Sequence, residues 1–408
     1  MFRLHLAIFF LLSSYTVFAQ YKNDNVLYKI VNPEDLCREL EKNPGYVLLD
    51  VRSLGEFNDT AATASHNIGH LDGALHFDSR QAGQRIRQIA AYKNEPVFIY
   101  CSHSQRSRRV SKMLADSGFT KVYNINGGLT ALLALNPIDK ACISSMLKTS
   151  NNFSIISSPE LCRKLSAKFN SLLVLDVRPD SAWNRISSNP KVNAIGSLKG
   201  SRHIALSSLK EELSKLPKGK EIVVTDLNGT EAPLAAKMLR ENGFEKVSIL
   251  LEGIERWLYS DYGSWGCTAN PYIPAVDFTI MSSGEFARFY PANKKSFILD
   301  LRSAAEFSNT HKDAFRNIGY LENAVNIPSG ELEKRLGEME IYKPGPIILY
   351  ATSGSPDVYA AASNLVKNGF KQVYVLVGGL FNLRWTASNV PGLNFIHDWI
   401  KAVPEENL

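Results

Sequence analysis

The stretch VLLDVRSLGEF, residues 47–57, begins as an apolar run of strand type and closes on Asp-x-Arg. Two later stretches match it, LVLDVRPDSAW at 173–183 and FILDLRSAAEF at 297–307. Further along, VFIYCSHSQRS (97–107), IVVTDLNGTEA (222–232) and IILYATSGSPD (347–357) each run from an apolar strand into a polar loop. Then come LADSGFTKVYNINGGL (114–129), LRENGFEKVSILLEGI (239–254) and LVKNGFKQVYVLVGGL (365–380). Each of these reads as a helix closed by glycine, another strand, and a glycine turn into a further helix. Asp50, Asp176 and Asp300 lie 126 and 124 residues apart, and a period of that length is a domain rather than a solenoid unit. Strands alternating with helices predict an α/β fold, with a parallel sheet flanked by helices in each of three tandem copies. We place the copies at residues 24–140, 150–265 and 275–398, joined by Pro-, Gly-, Ser- and Asn-bearing links around 137–152 and 262–276.

The copies can be read against one another. Asp-x-Arg recurs in all three although the loops differ, which marks Asp50 and Arg52 as architecture. Cys101, by contrast, corresponds to Asp226 and Ala351, and Arg106 corresponds to Glu231 and Pro356. A thiol at the carboxyl end of a central parallel strand stands where α/β sheets build their functional crevice. The loop after it turns into a helix expected over 107–117, with Val110, Met113 and Leu114 as its apolar stripe. Backbone N–H groups at such a turn converge into an anion nest, and nearby positive charge favours the nucleophilic thiolate. Arg106 is a fixed donor for the oxygens of an anionic ligand.

LLDVRSLGEF, IGHLDGALHF, YCSHSQRS and GFTKVYNINGGL together resemble the rhodanese family, over nearly the whole chain as three copies. In that family the active loop is Cys-x4-Arg, and its Gly-His-Ile-x-Gly-Ala segment looks like Gly69–Ala74 here. The resemblance implies sulfurtransferase chemistry. Cys101 would take sulfur from a small anionic donor such as thiosulfate, carry it as a persulfide and pass it to a thiol or cyanide-like acceptor. Ser102, His103, Ser104, Gln105, Arg106 and Ser107 would form the substrate-binding loop. The sequence departs from the family pattern at Ser104, which replaces a loop glycine, at His103, which adds bulk, and in having the Cys in the first of three copies. The second and third copies, lacking both Cys and Arg, are expected to be inactive and to pack, bind protein partners or shape access to Cys101. The rival readings are a non-catalytic binding scaffold and a cysteine phosphatase. The phosphatase reading needs five residues between Cys and Arg, whereas here there are four.

With 408 residues, 45% hydrophobic and 21% charged, and a formal charge of +6, the chain has no basic run to suggest nucleic acid. Arg3, the apolar stretch Leu4–Leu12 and Val17-Phe18-Ala19 form a signal-peptide pattern over residues 1–19, too short for a membrane span. A periplasmic or secreted protein is therefore expected. Cys37 matches Cys162, and the third copy has Ala287, so these read as small packing residues. Cys142 matches Cys267 in the links; an exported protein permits a bond between those two, but the pair reads as two free or buried thiols. His66, His70 and His76 do not recur as a ligand set, so no metal is assigned, and no cofactor is implied.

Overall fold

The computed structural model describes residues 27–168, 171–259 and 270–404. The signal-peptide segment and Cys267 lie outside the described residues. The first copy is a five-stranded parallel sheet of β1 (Lys29–Val31), β2 (Val47–Asp50), β3 (Leu75–His76), β4 (Pro96–Tyr100) and β5 (Lys121–Ile125). Its spatial order is β1-β5-β4-β2-β3. Helices α1 (Leu36–Lys42), α2 (Gln105–Asp116) and α3 (Gly128–Ala134) connect and cover the strands. All five residues of β4 are buried, as expected for a central strand covered on both faces. Leu48, Phe98, Tyr100 and Ile125 pack on one face with α1 and α3, and Leu49, Val97, Ile99 and Val122 on the other with α2.

The same order recurs twice. The second sheet uses β6 (Ser154–Ile156), β7 (Leu172–Asp176), β8 (Arg202–His203), β9 (Glu221–Thr225) and β10 (Val247–Leu250) as β6-β10-β9-β7-β8. The third uses β11 (Thr279–Met281), β12 (Phe297–Asp300), β13 (Ala324–Asn326), β14 (Pro346–Tyr350) and β15 (Gln372–Leu376) as β11-β15-β14-β12-β13.

Register ties the two sequence signatures together. Asp50 pairs with Tyr100, so the Asp-x-Arg turn and the Cys101 loop leave the sheet side by side. Asp50 and Arg52 are fully buried, with Arg52 Nη2 2.6 Å from Asp50 Oδ2 and also donating to the Gly69 carbonyl. Arg178 and Arg302 repeat this on Asp176 with the Gly196 carbonyl, and on Asp300 with the Gly319 carbonyl. The pair is architectural, as read from the sequence.

The links are not loose. Residues 137–152 contain a helix, Ala141–Met146, and an antiparallel pairing of Leu147–Lys148 with His70–Leu71. Asp59 accepts from Thr149 and Ser150, so the first domain runs past residue 148. Tyr272–Ile273 and Ile400–Lys401 return in the same way onto Ser197–Leu198 and Tyr320–Leu321. Pro, Ser and Asn mark irregular backbone but do not say whether it docks.

The cysteine reading is corrected here. Cys37 is not a packing residue: it is disulfide-bonded to Cys142, with Cα atoms 6.5 Å apart, clasping the tail to α1. Cys142 is accordingly not a free thiol, and Cys162 is disulfide-bonded too. Matching positions across copies hid a bond that runs within a copy. The third copy, with no cysteine, lacks both partners together.

The three domains meet around a cavity of about 330 Å³, lined at corresponding positions by Pro33, Ser158 and Ser283 and by Ala134, Tyr259 and Trp385.

Removing one partner of a buried ion pair leaves an uncompensated charge, at a cost of about 3–5 kcal/mol. Arg52→Ala should therefore lower the denaturation midpoint sharply, and Arg52→Lys, which lacks the planar fork, should restore little of it. Equilibrium unfolding in urea checks this.

Candidate active site

Cys101 follows β4 directly and is 1% exposed. Its loop is held from beneath by the glycine turn before α3. Leu129 N donates to the Cys101 carbonyl at 2.8 Å, and Thr130 N to that of Ser102 at 3.1 Å. Gly128 has φ +61, and a Cβ there would lie 2.2 Å from the Cys101 carbonyl oxygen, so only glycine lets the turn approach.

Ser104, standing where the family has glycine, adopts φ 74, and its buried side chain makes the turn tolerable. Its Oγ accepts from Gly127 N at 2.5 Å and donates to the Ile125 carbonyl at 3.2 Å. The Ser107 hydroxyl donates to the Ser104 carbonyl, and Ser102 Oγ accepts from Arg106. The hydroxyl protons of Ser104 and Ser107 are thus spent within the loop, whereas Ser102 accepts from Arg106 and keeps its own O–H as a donor. Gln105 is exposed. The N–H groups opening α2 have no partner inside the helix.

Arg106 is committed more heavily than the sequence reading allowed. Its Nη1 and Nη2 donate to the two carboxylate oxygens of Glu56 at 2.6 and 2.7 Å, and Nη2 also reaches Ser102 Oγ at 2.6 Å. Three of its five N–H donors are therefore used, leaving two for a ligand. The Glu56 hydrogen bond, working against burial, raises the Arg106 pKa, and Cys101 adds to the same shift. Burial alone would push the Glu56 carboxyl up, but the bonds from Arg106 and Ser53 bring it down to about 2. Glu56 was missed from sequence. Its signal was the capping box Ser53-x-x-Glu56, which the third copy keeps as Ser303 and Glu306 and the second replaces with Pro179 and Ala182. Two basic residues further along α2 are engaged elsewhere: Arg108 bonds to Asn126 and to Asn389 of the third domain, and Lys112 to Asp116.

His103 reaches out of the domain. Its Nε2 lies 2.8 Å from Oε1 of Glu252 in the second domain, while its side chain stays 58% exposed. His70 and His76 are structural: His70 stacks on Phe57 and bonds to the Phe57 carbonyl, and His76 bonds to that of Arg52.

The second loop shows how this nest behaves toward an anion. The Asp226 carboxylate, at the position of Cys101, accepts from Gly229 N, Glu231 N and Ala232 N at 2.6, 2.5 and 3.0 Å. The nest is filled by the chain itself, although burial holds the Asp226 carboxyl above its ordinary range. In the third loop, Thr352 and Arg316 bond to Glu306, and Ala351 and Pro356 offer neither thiol nor charge.

The sequence profile of the rhodanese-like domain matches residues 32–135, 158–260 and 285–384. Over 114 residues the chain is 32% identical to the thiosulfate sulfurtransferase GlpE of Pseudomonas putida, spanning 28% of this chain and 93% of that protein. Over 81 residues it is 37% identical to the uncharacterized protein YqhL of Bacillus subtilis, spanning 20% of this chain and 56% of that one. Among solved structures, a thiosulfate sulfurtransferase from Pseudomonas aeruginosa aligns with a TM-score of 0.22 at 16% identity, over 89% of this chain and 66% of that one.

Glu56 has a depressed folded pKa, so its contribution to stability is complete above its unfolded value near 4.5 and is lost as pH falls toward about 2. The expected loss across that window is a few kcal/mol. Glu56→Gln should remove that part of the acid limb in urea titrations between pH 5 and about pH 2.

Proposed function

This chain belongs to the rhodanese family, and from that premise we propose that it is a sulfurtransferase with one competent domain, the first. The Cys101 thiolate attacks the outer sulfur of a donor such as thiosulfate. The donor's S–S bond breaks with its electron pair on the departing sulfite, and Cys101 holds the transferred sulfur as a persulfide. An acceptor then takes that sulfur and returns the thiolate.

The observation that carries this reading is the Asp226 carboxylate bound by three loop amides. At the corresponding places the first domain has the amides of Ser104, Arg106 and Ser107, around a cysteine instead of a carboxylate. A nest that binds one negative group in the second copy suits a persulfide or a thiosulfate oxygen in the first. Arg106, held by Glu56, contributes two remaining donors at the same place. The other domains hold no thiol at this position, and the second loop's own carboxylate competes for the amides.

We further propose export to the periplasm or beyond. The N-terminal pattern supports it, and so do the bonded Cys37, Cys142 and Cys162, since disulfides persist in oxidising compartments. Mature protein from its host should begin near Gln20, which N-terminal sequencing checks; an intact Met1 on cytosolic protein would refute it.

In the full chain, thiosulfate without acceptor should add the mass of one sulfur at Cys101, and Cys101→Ser should add none and abolish turnover with cyanide. Asp226→Cys on the Cys101→Ser background should not restore activity, because Ala182 and Glu231 leave the new thiol without the Glu56–Arg106 donor. Loading measured by intact mass and steady-state rates decides both.

A further inference from the structure

The mechanism above leaves one contact unused, the bond from His103 to Glu252. Glu252 stands at the first position of the glycine turn. The other two copies have Gly127 there at φ 69 and Gly378 at φ 71, whereas Glu252 adopts φ 56 with a full side chain. A bulky residue in the left-handed region is held against a cost of about 1 kcal/mol or more. The second domain's own fold does not ask for it, since glycine serves in both sister domains. One oxygen of the glutamate is directed at its neighbour, Oε1 meeting His103 Nε2 at 2.8 Å, while Arg256 of its own domain lies 3.4 Å from Oε2. Burial opposes the charge on Glu252, but His103 and Arg256 outweigh it and keep the carboxyl below its usual range.

An ionised carboxylate only accepts hydrogen bonds, so the proton of a neutral His103 sits on Nε2 and Nδ1 carries the lone pair. No hydrogen-bond partner of Nδ1 is found among the described residues. The imidazole belongs to the Cys101 loop, two residues after the nucleophile, and remains open to solvent. A carboxylate orienting an imidazole whose other nitrogen is free is the arrangement by which proteins remove a proton from a weakly acidic nucleophile.

Resting on the sulfurtransferase reading, we propose that the second domain completes the active site: Glu252 is a positioning residue that sets His103 to deprotonate a thiol acceptor. His103 Nδ1 takes the proton of the acceptor thiol, and the resulting thiolate sulfur bonds to the outer sulfur of the Cys101 persulfide. The persulfide S–S bond breaks, with its electron pair returning to Cys101 Sγ. The proton on His103 passes to the newly formed acceptor persulfide or to water. The sulfur moves at the sulfane level, so no oxidant or reductant is needed. Sulfite at mildly alkaline pH is a dianion with no proton to lose, so as an acceptor it makes no use of this dyad. The acceptor class is therefore a protic thiol.

The test uses the full chain in two separated half-reactions. Cys101 is first loaded with thiosulfate and followed by intact mass. The loaded protein, freed of excess donor, is then mixed at mildly alkaline pH with glutathione or with sulfite, and sulfur loss is timed in a single turnover. Glu252→Gly installs the residue of the sister domains and relieves the backbone strain, so a defect in it cannot be laid to misfolding. Glu252→Gln keeps the shape and removes the charge, and His103→Gln removes the base. For each variant the ratio of the glutathione rate to the sulfite rate should fall at least about tenfold, since positioned general bases contribute about 100-fold or more. Equal changes with both acceptors, or no change in the ratio, would overturn the dyad while leaving persulfide transfer standing. A wild-type chain that loads no sulfur would instead remove the sulfurtransferase reading, and this inference with it.

Discussion

In each domain the loop after the central strand is held by a turn that admits no side chain. The second glycine of that turn has φ +61, +64 and +61 at Gly128, Gly253 and Gly379. A Cβ at these places would come within 2.2 Å of the Cys101 carbonyl, 2.6 Å of Asp226 Oδ1 and 2.3 Å of the Ala351 carbonyl. The next two amides donate to carbonyls of the loop in all three copies. This docking fixes the start of the loop in all three copies, and the buried Asp-x-Arg pair fixes the strand end beside it. Beyond that start the loops part: Ser104 and Gly229 turn at positive φ, whereas the third loop enters its helix at Pro356, which has no N–H to give.

Three copies show three fillings. The first holds a thiol, with Arg106 locked by Glu56. The second holds the Asp226 carboxylate, and its counterparts of Glu56 and Arg106 are Ala182 and Glu231. The third retains Glu306 and satisfies it with Arg316 and Thr352. Glu56 and Glu306 are nearly as buried as a core residue, and a carboxylate so placed requires donors. Where the loop arginine is lost, either the glutamate goes too or another cation is recruited.

The strands, the repeat, the Asp-x-Arg pair and Cys101 were legible because each is a local pattern seen three times. Apolar runs such as Val97–Tyr100 announce burial on both faces, and turn glycines announce their backbone. The features missed join residues far apart in the chain: Glu56 with Arg106, Cys37 with Cys142, and Glu252 with His103 across 149 positions. Such pairings are set by how elements pack, which no local window records. Yet each left a trace in the comparison of copies. The two cysteines of a bond vanish together from the third copy, and one glycine of the turn becomes glutamate only in the second. The long links were misjudged for a related reason, since their composition describes backbone shape but not docking.

The two peculiarities of the second domain occupy one piece of structure. A Cβ on Gly229, in the loop, would lie 3.1 Å from the Glu252 Cα, and one on Gly253 would lie 2.6 Å from Asp226 Oδ1. The self-filled nest and the strained turn therefore press against each other. A nest that must take up and release a ligand has to tolerate being empty, whereas one closed by its own carboxylate is permanently satisfied. With three amides engaged by Asp226, this loop is a fixed backing against which a non-glycine residue can be held at positive φ. The loop that Asp226 closes on itself thus backs the turn from which Glu252 extends to His103 in the neighbouring domain.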